Sequence, residues 1–410
     1  MLHLSLPLIV ILVVFVLIAI RRIGKITFKI WQVMTGAALF LILTKQISVK
    51  DALFSINFDV IIFLIGMFII GEAMRESGYL YHLSYLIFRK AKNSSNLLLL
   101  VIFVSGFLSA LLMNDTVAVV GTPLMIYLAR KHKMDPKVLL LALAFGVTIG
   151  SVTSPIGNPQ NLLIALGSQM KGPFVVFAEY LFIPTIVNMF VTYLVIKLLY
   201  RKSFGDDEIE HSIDISMDKK LSRVSKISLI VLLVLVAMRI IGTFFGQEIL
   251  KLSYISIIAA LPVVLFSDKR FKILKSIDWA TIVFFVSMFI TMQAVWNCGF
   301  FQKYVSFINF SSIPQILLAS VGVSQFISNV PFVALFLTFF KGASNLILCA
   351  LAAGSTIAGN LTILGAASNV IIVQNAEKED VHLTFMEFFK VGFVVTVLNV
   401  LVYWLYFLVF

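Results

Sequence analysis

Charge is scarce in this sequence. Asp, Glu, Lys and Arg make up 13% of its 410 residues, against 60% hydrophobic residues, about half the charged share of a soluble domain. A solvated globular surface is excluded over most of the chain, and a mean hydropathy of +1.04 places it in a bilayer. Cysteine is nearly absent. Cys298 and Cys349 both fall in apolar stretches, where they read as small buried residues rather than a disulfide or a metal site. The five histidines show no metal-ligand spacing, and neither a Walker-type phosphate loop nor a G-x-S-x-G nucleophile motif occurs. Enzymatic chemistry is therefore not expected. No cofactor is expected beyond Na+ or H+ as a coupling ion, and energy has to come from an ion gradient or from a separate ATPase subunit. Acidic residues are also few, 20 against 32 basic ones, for a net charge of +12. In a soluble protein that excess would point to nucleic acid. Here the basic residues sit in short loops between apolar runs and report orientation, so the expected surroundings are membrane lipid and not nucleic acid.

Apolar runs of roughly 17 to 25 residues, enough to cross about 30 Å of hydrocarbon, recur from end to end. The run at 4–20 lacks a basic flank before it and a small-residue cleavage site after it, and carries Arg21, Arg22 and Lys25 behind it; it reads as a retained span, not a signal peptide. Basic clusters at 21–29, 89–92, 130–137, 201–226 and 269–275 should face the cytoplasm, whereas other connections carry scattered lysines such as Lys50, Lys171 and Lys303. Spans are then expected at 4–20, 31–45, 58–74, 138–167 and 181–199, and again at 227–245, 252–266, 279–298, 345–375 and 387–410. Both termini fall outside a plasma membrane in this arrangement.

Two apolar stretches do not read as simple spans. The run at 97–129 has basic clusters at both ends, yet its polar centre, Met113-Asn114-Asp115-Thr116, divides it into two arms. Each arm is marginal for crossing, so a re-entrant hairpin fits; two short spans return the chain to the same side and stay open as the alternative. A second hairpin is expected at 313–340. The spans at 138–167 and 345–375 are interrupted, the first by Gly150-Ser151-Val152-Thr153-Ser154-Pro155-Ile156-Gly157-Asn158-Pro159. Such backbone is tolerated at membrane depth only where protein or a water-filled cavity surrounds it.

The two halves match each other. An offset of 208 places Gly146 on Gly354, Thr148 on Thr356, Gly157 on Gly365 and Asn161 on Asn369. An offset of 215 places Asn114 on Asn329, and one of 221 places Met67-Phe68-Ile69 on Met288-Phe289-Ile290 and Gly78 on Gly299. Five crossings per half make the second copy inverted, which is the sequence mark of alternating-access carriers. The expected fold is thus an all-α integral membrane protein of about ten transmembrane helices plus two re-entrant hairpins in two inverted repeats. The repeats are 1–200 and 227–410, joined by a cytoplasmic linker at 201–226, with scaffold and transport subdomains each drawn from both halves.

A broken helix leaves unpaired N–H groups at one half-helix start and unpaired C=O groups at the other end, ready-made sites for anions and cations respectively. The polar residues near the two tips and two breaks are Asn114, Asp115, Thr116, Thr153, Ser154, Asn158, Gln160 and Asn161 in the first half. The second half supplies Ser324, Gln325, Ser328, Asn329, Asn360, Thr362, Ser368 and Asn369, and Gly157 and Gly365 sit at matched turns. Some of these hydroxyls and amides are expected merely to satisfy freed backbone groups. Asp115 stands apart: an ionisable group at bilayer depth points to proton or cation carriage, or, as the plainer reading, to a helix cap. Val330 occupies the matching place in the second half. Asp59, Asp278 and Glu179 read as interfacial acids, and Glu72, matched to Gln293, is open between the two readings.

At these residues the chain resembles the ion transporter superfamily that contains the arsenite permeases, the citrate-type and divalent-anion/sodium symporters and a branch of sodium/proton antiporters. The resemblance rests on Asn114-Asp115-Thr116 with Thr122-Pro123, on Ser154 through Asn161, on Ser328-Asn329-Val330-Pro331 and on Gly359 through Asn369. It implies an elevator-type carrier, often a homodimer. It also implies one ion site at Asn114, Thr116 and the 150–158 loop and a mirror site at Asn329 and the 359–365 loop, with Na+ at the two tips. The symporters of divalent anions carry Ser-Asn-Thr at both tips, whereas the Asn-Asp tip here is similar to the arsenite-permease branch. The expected function is coupled transport of a small anion, oxyanion or metalloid hydroxide such as arsenite or antimonite, using a proton or sodium gradient; the alternatives are Na+/H+ antiport and sodium-coupled dicarboxylate or divalent-anion symport.

Overall fold

The computed structural model describes residues 5–20, 22–23, 26–27, 29–88, 90–204, 217–247, 250–299, 312–340 and 342–410. Arg21, Lys25, Arg89, Lys303 and residues 205–216 of the expected linker lie outside the described residues. The described chain is helical apart from a two-residue antiparallel pairing, β1 (Arg22–Ile23) with β2 (Ile26–Thr27). The first half runs α1 (Leu6–Ile20), α2 (Ile30–Leu43), α3 (Val49–Ser55), α4 (Phe58–Glu76), α5 (Tyr79–Phe88), α6 (Ser94–Leu112), α7 (Asn114–Lys131), α8 (Pro136–Gly150), α9 (Pro159–Gly167) and α10 (Pro173–Leu199). The second runs α11 (Lys219–Phe244), α12 (Leu252–Phe266), α13 (Arg270–Ser276), α14 (Trp279–Asn297), α15 (Ile313–Ile327), α16 (Asn329–Phe336), α17 (Asn345–Ile357), α18 (Ala367–Glu377) and α19 (Phe385–Phe407). Six helical stretches are individually long and apolar enough to cross a bilayer, and a seventh arises if α3 and α4, bent by 54°, count as one.

Short polar side chains set the helix starts. Asn57, Asn93, Asp135, Asn158, Asp218, Asp278 and Ser344 each accept a backbone N–H in the first turn of the helix that follows, and Thr384 forms a reciprocal capping box with Glu387. Pro136, Pro159 and Pro173 occupy first helical positions, where the missing N–H costs nothing. These signals place some boundaries beyond the hydropathy limits. Helix α10 begins at Pro173 behind Gly172, whose φ of +59° permits the sharp approach, not at 181. Helix α11 begins at Lys219, so Lys219 to Lys226 are helix and not linker. Asp218 caps α11; the Leu221 N–H and the Lys269 ammonium hold its carboxyl below the usual carboxylate range. The short α3 and α13 fall where only loops were expected.

The offsets seen in sequence recur as backbone geometry. At +221, α3 lies on α13 and α4 on α14, with Asn57 accepting from Val60 as Asp278 accepts from Thr281. Gly78 and Gly299 end the two longer helices at φ +71° and +72°. At +215 the tips coincide: Met113 takes φ +69° and Ser328 φ +68°, a conformation uncommon for residues with a side chain. Packing is reciprocal as well. Helix α4 packs on α12 and α14 on α2; α7 packs on α18 and α16 on α9. Within each half the first hairpin arm lies along the broken helix, α6 on α8 and α15 on α17. Glycines set the closest of these approaches: a Cβ on Gly150 would stand 2.2 Å from the Gly106 Cα.

Candidate functional site

Each broken helix is held open by an asparagine. Between α8 and α9, Asn161 Nδ2 donates to the carbonyls of Ser151 at 3.1 Å and Ser154 at 3.1 Å. Between α17 and α18, Asn369 Nδ2 donates to the carbonyls of Gly359 at 2.6 Å and Thr362 at 3.4 Å. These are equivalent atoms under the 208-residue offset, and both asparagines are buried. Carbonyls freed by unwinding a helix in an apolar interior need donors, and a side-chain amide two turns on supplies them. Gly157 N–H donates to Ser154 and Gly365 N–H to Thr362, closing matched turns.

The remaining chemistry of the two breaks differs. Asn158 caps α9 through its Oδ1 and donates through Nδ2 to the Ser151 hydroxyl at 2.9 Å and the Thr356 hydroxyl at 3.2 Å. Thr356, from α17 of the other half, in turn donates to Asn161 Oδ1 at 3.2 Å. Its counterpart Thr148 bonds its own helix at Ala144. Ala366 stands where Asn158 stands, so α18 has no side-chain cap. Buried Asn360 Oδ1, Ser368 Oγ and Asn369 Oδ1 make no hydrogen bond among the described residues.

Both tips meet the breaks. Asn114 N–H donates to the Gly157 carbonyl at 3.0 Å, and its Oδ1 accepts the Asp115 N–H at 3.0 Å. Asn329 Nδ2 lies against Gly359. A cavity of about 260 Å³ opens between the two tips and the starts of α9 and α18. Asn114, Asp115, Ser328, Asn329 and Val330 line it from the tips, Pro159, Gln160, Ala366 and Ala367 from the half-helix starts. The opposite wall is built by Ile30 and Trp31 of α2 with Asp278, Ala280, Thr281, Phe284 and Phe285 at the start of α14. Asp115 Oδ1 and Asn329 Oδ1 are buried and without a hydrogen-bond partner among the described residues. Among the described residues the lining contains two carboxylates and no lysine, arginine or histidine. Among the described residues no cluster of His, Cys, Asp and Glu could hold a metal ion as a compact ligand set.

Of the polar residues singled out in sequence at the tips and breaks, Asn114, Asp115, Gln160, Ser328 and Asn329 face this cavity. Gly157, Asn158, Asn161, Gly365 and Asn369 shape the breaks behind it, Thr153 bonds the Gly150 carbonyl and Ser154 accepts from Ile156. Thr362 donates to Gln325 Oε1 at 2.9 Å, and Asn360 reaches Asn399 of α19. Thr116 lies outside the lining: two residues along α7 from Asn114 the helix has turned to the opposite side, and its side chain meets Gly71 of α4. Glu72 pairs with Arg75 at 2.5 Å, and Asp59 with Lys251 at 3.4 Å. The wall from α2 and α14 escaped the sequence reading. Asp278 carries the only usable signal, an acid at a helix start, and its capping bond to Thr281 leaves it facing the cavity as well.

The sequence model of the citrate transporter family, CitMHS, matches residues 12–346. The chain belongs to this family. Membership makes it a membrane transporter and not an enzyme, in keeping with the superfamily resemblance of its tip and break motifs. Within the curated relatives, the chain is 26% identical to an uncharacterized transporter of Mycobacterium bovis over 94% of both chains. It is 25% identical to the silicon efflux transporter LSI3 of Oryza sativa subsp. japonica over 83% of this chain and 84% of the relative. It is 24% identical to the P protein of Homo sapiens over 86% of this chain but 54% of that longer protein. The crystal structure of the Alcanivorax borkumensis YdaH transporter, described as having an unusual topology, superposes with a TM-score of 0.60 over 98% of this chain and 97% of that one. At 13% identity it shows a shared fold. This CitMHS chain is thus a helical membrane transporter whose tips and breaks converge on one cavity.

Proposed function

We propose that this CitMHS protein is a proton-coupled secondary carrier of a small oxyacid or metalloid hydroxide of the arsenite and antimonite class, with Asp115 as the coupling carboxylate. The observation that carries this reading is the lining of the cavity: amide, hydroxyl and carboxylate oxygens, a start of α18 that no side chain caps and, among the described residues, no basic side chain. A multiply charged anion in such a site would lack a compensating cation, whereas a small uncharged hydroxide can donate to the carboxylates and amides and accept from helix N–H groups. The size of the cavity, below the range of drug-sized pockets, fits a small solute. The rice relative's name, a silicon efflux transporter, supports an inorganic substrate.

Transport then proceeds by alternating access of one set of helices, α6 to α10 with α15 to α19, moving in an elevator-like way against α1, α2, α4, α11, α12 and α14, with the cavity at their boundary. Ten crossings and two re-entrant hairpins, a homodimer in the plasma membrane and termini on the outer side complete this reading.

Proteoliposomes under an imposed pH gradient test it. Arsenite or antimonite should accumulate against its gradient without sodium, with phosphate, sulfate and dicarboxylates as comparisons, and Asp115→Asn should lower pH-driven accumulation about tenfold or more. Accumulation by Asp115→Asn with unchanged pH dependence would remove Asp115 from the mechanism. A second reading, sodium/proton antiport, is favoured by the two unpartnered oxygens, Asp115 Oδ1 and Asn329 Oδ1, which are hard ligands suited to Na+. Robust sodium-dependent proton movement with no other solute present would decide for it.

A further inference from the structure

Two carboxylates share the cavity, and they belong to different sets of helices. Asp115 sits on a hairpin tip that packs with the broken helices; Asp278 sits at the start of α14, which packs on α2. Asp278 is fixed in place. Its Oδ1 accepts the Thr281 N–H at 3.0 Å and its Oδ2 the Thr281 hydroxyl at 2.5 Å. Asp115 Oδ1 has no such partner among the described residues. A third group points to a ligand between them: Asn329, 5% exposed, lines the same cavity with its Oδ1 unpartnered among the described residues. The cavity-lining residues contributed by α2, α9, α16 and α18 carry no titratable or charged side chain, so nothing on those elements compensates the two acids.

The internal repeat sharpens the point. Asn57 occupies the position of Asp278 and caps α4 through the same Oδ1 contact, to Val60 N–H at 3.2 Å. Val330 occupies the position of Asp115. A helix start of this kind therefore does not require an acid for its cap, and each of the two acids is matched by an uncharged residue in the other copy. Two carboxylates facing one cavity favour a positive charge between them.

We propose that Asp278 is the static half of a two-carboxylate site that takes one monovalent cation, a proton or a sodium ion, between itself and Asp115, with Asn329 Oδ1 as a further oxygen ligand. The cation holds the moving tip against the α2/α14 wall, and an empty tip is repelled from it. Asp278 is thus a positioning residue of the coupling step. This rests on the reading of Asp115 as the coupling group.

The test uses the full chain in lipid nanodiscs, with binding of radioactive sodium in alkaline buffer and proton uptake on acidification read by an indicator dye, and choline chloride as the control salt. The wild type should bind sodium or take up a proton at this site, and the arm that responds identifies the cation. Asp278→Asn, which reproduces the Asn57 cap, should leave the thermal midpoint unchanged and weaken that binding about tenfold or more; Asp278→Glu should restore most of it. If the Asn variant does not fold, Asp278→Ser, which also caps, takes its place. Wild-type affinity in Asp278→Asn, or binding of neither cation by the wild type, overturns the proposal. Asp115→Asn in parallel separates the two ideas: if it loses the cation while Asp278→Asn keeps it, Asp278 alone is dismissed; if it too binds normally, the coupling role of Asp115 falls as well.

Discussion

At the first break, Asn158 caps α9, Ser151 and Thr356 take up its amide, and Thr356 completes Asn161. At the second, Ala366 caps nothing, Thr148 turns back to its own helix, and the oxygens of Asn360, Ser368 and Asn369 are buried without partners among the described residues. The shared elements are the asparagine that holds the freed carbonyls and the glycine turn beside it; the side-chain bonding around them has diverged. The same backbone device can therefore sit in a fully bonded joint in one copy and among buried, unsatisfied oxygens in the other. Buried polar groups left unpaired in protein are costly, and among the described residues the second break carries more of them than the first.

The comparison can be broken most severely at the glycines. Gly150→Ala drives a Cβ into the backbone of Gly106, where no flexible side chain can yield, and should destabilise by about 3 kcal/mol or more. Val321 and Ala358 stand at the matching places of the second half, so Ala358→Gly should cost only about 1 kcal/mol. Unfolding in mixed detergent micelles, followed by circular dichroism, measures both; equal losses would show that the two crossings are equally tight. Next in size is the threonine pair. Thr356→Val leaves Asn161 Oδ1 and an Asn158 N–H unpaired and should cost about 1.5 kcal/mol. Thr148→Val loses a bond to its own helix carbonyl and should stay within about 0.5 kcal/mol. The smallest effect is a gain. Ala366 has the extended conformation of a capping residue, so Ala366→Asn should cap α18 and stabilise by about 1 kcal/mol. Because Ala366 lines the cavity, the same change should slow transport, and an unaltered rate would show that the α18 start is not part of the solute site.

The tips and breaks were legible because they break hydrophobic runs with the residues that unwinding needs. Asn114 and Asn329 mark the tips to the residue, and Gly157 with Gly365 mark the turns. The matches between the halves were legible for the same reason, since the residues paired at offsets of 208, 215 and 221 include those that form turns and tips. What escaped were features whose signal is weak or carries two meanings. Val49–Ser55 and Arg270–Ser276 are too short and too polar to register as apolar runs, yet each forms a helix next to a long one. Lys219 to Lys226 look like linker because they are basic, although long basic side chains at a helix end can extend toward the interface. Trp31, Phe284 and Phe285 are ordinary residues of apolar spans, and only the packing of α2 on α14 turns them into a wall. Asp278 is an interfacial acid by sequence, and by geometry a helix cap and a lining group. Thr116 shows the converse, a polar residue beside Asp115 that the turn of α7 carries away to Gly71.

The crosswise packing of α7 on α18 and α9 on α16 also governs how the protein is made. During synthesis the first half enters the membrane with the mating surfaces of α7 and α9 uncovered, because both partners belong to the portion still to be translated. The early chain must wait in an incomplete state, and maturation is finished only when the last hairpin and broken helix arrive. Two polypeptides divided between α10 and α11 carry complementary surfaces and need each other to become a carrier.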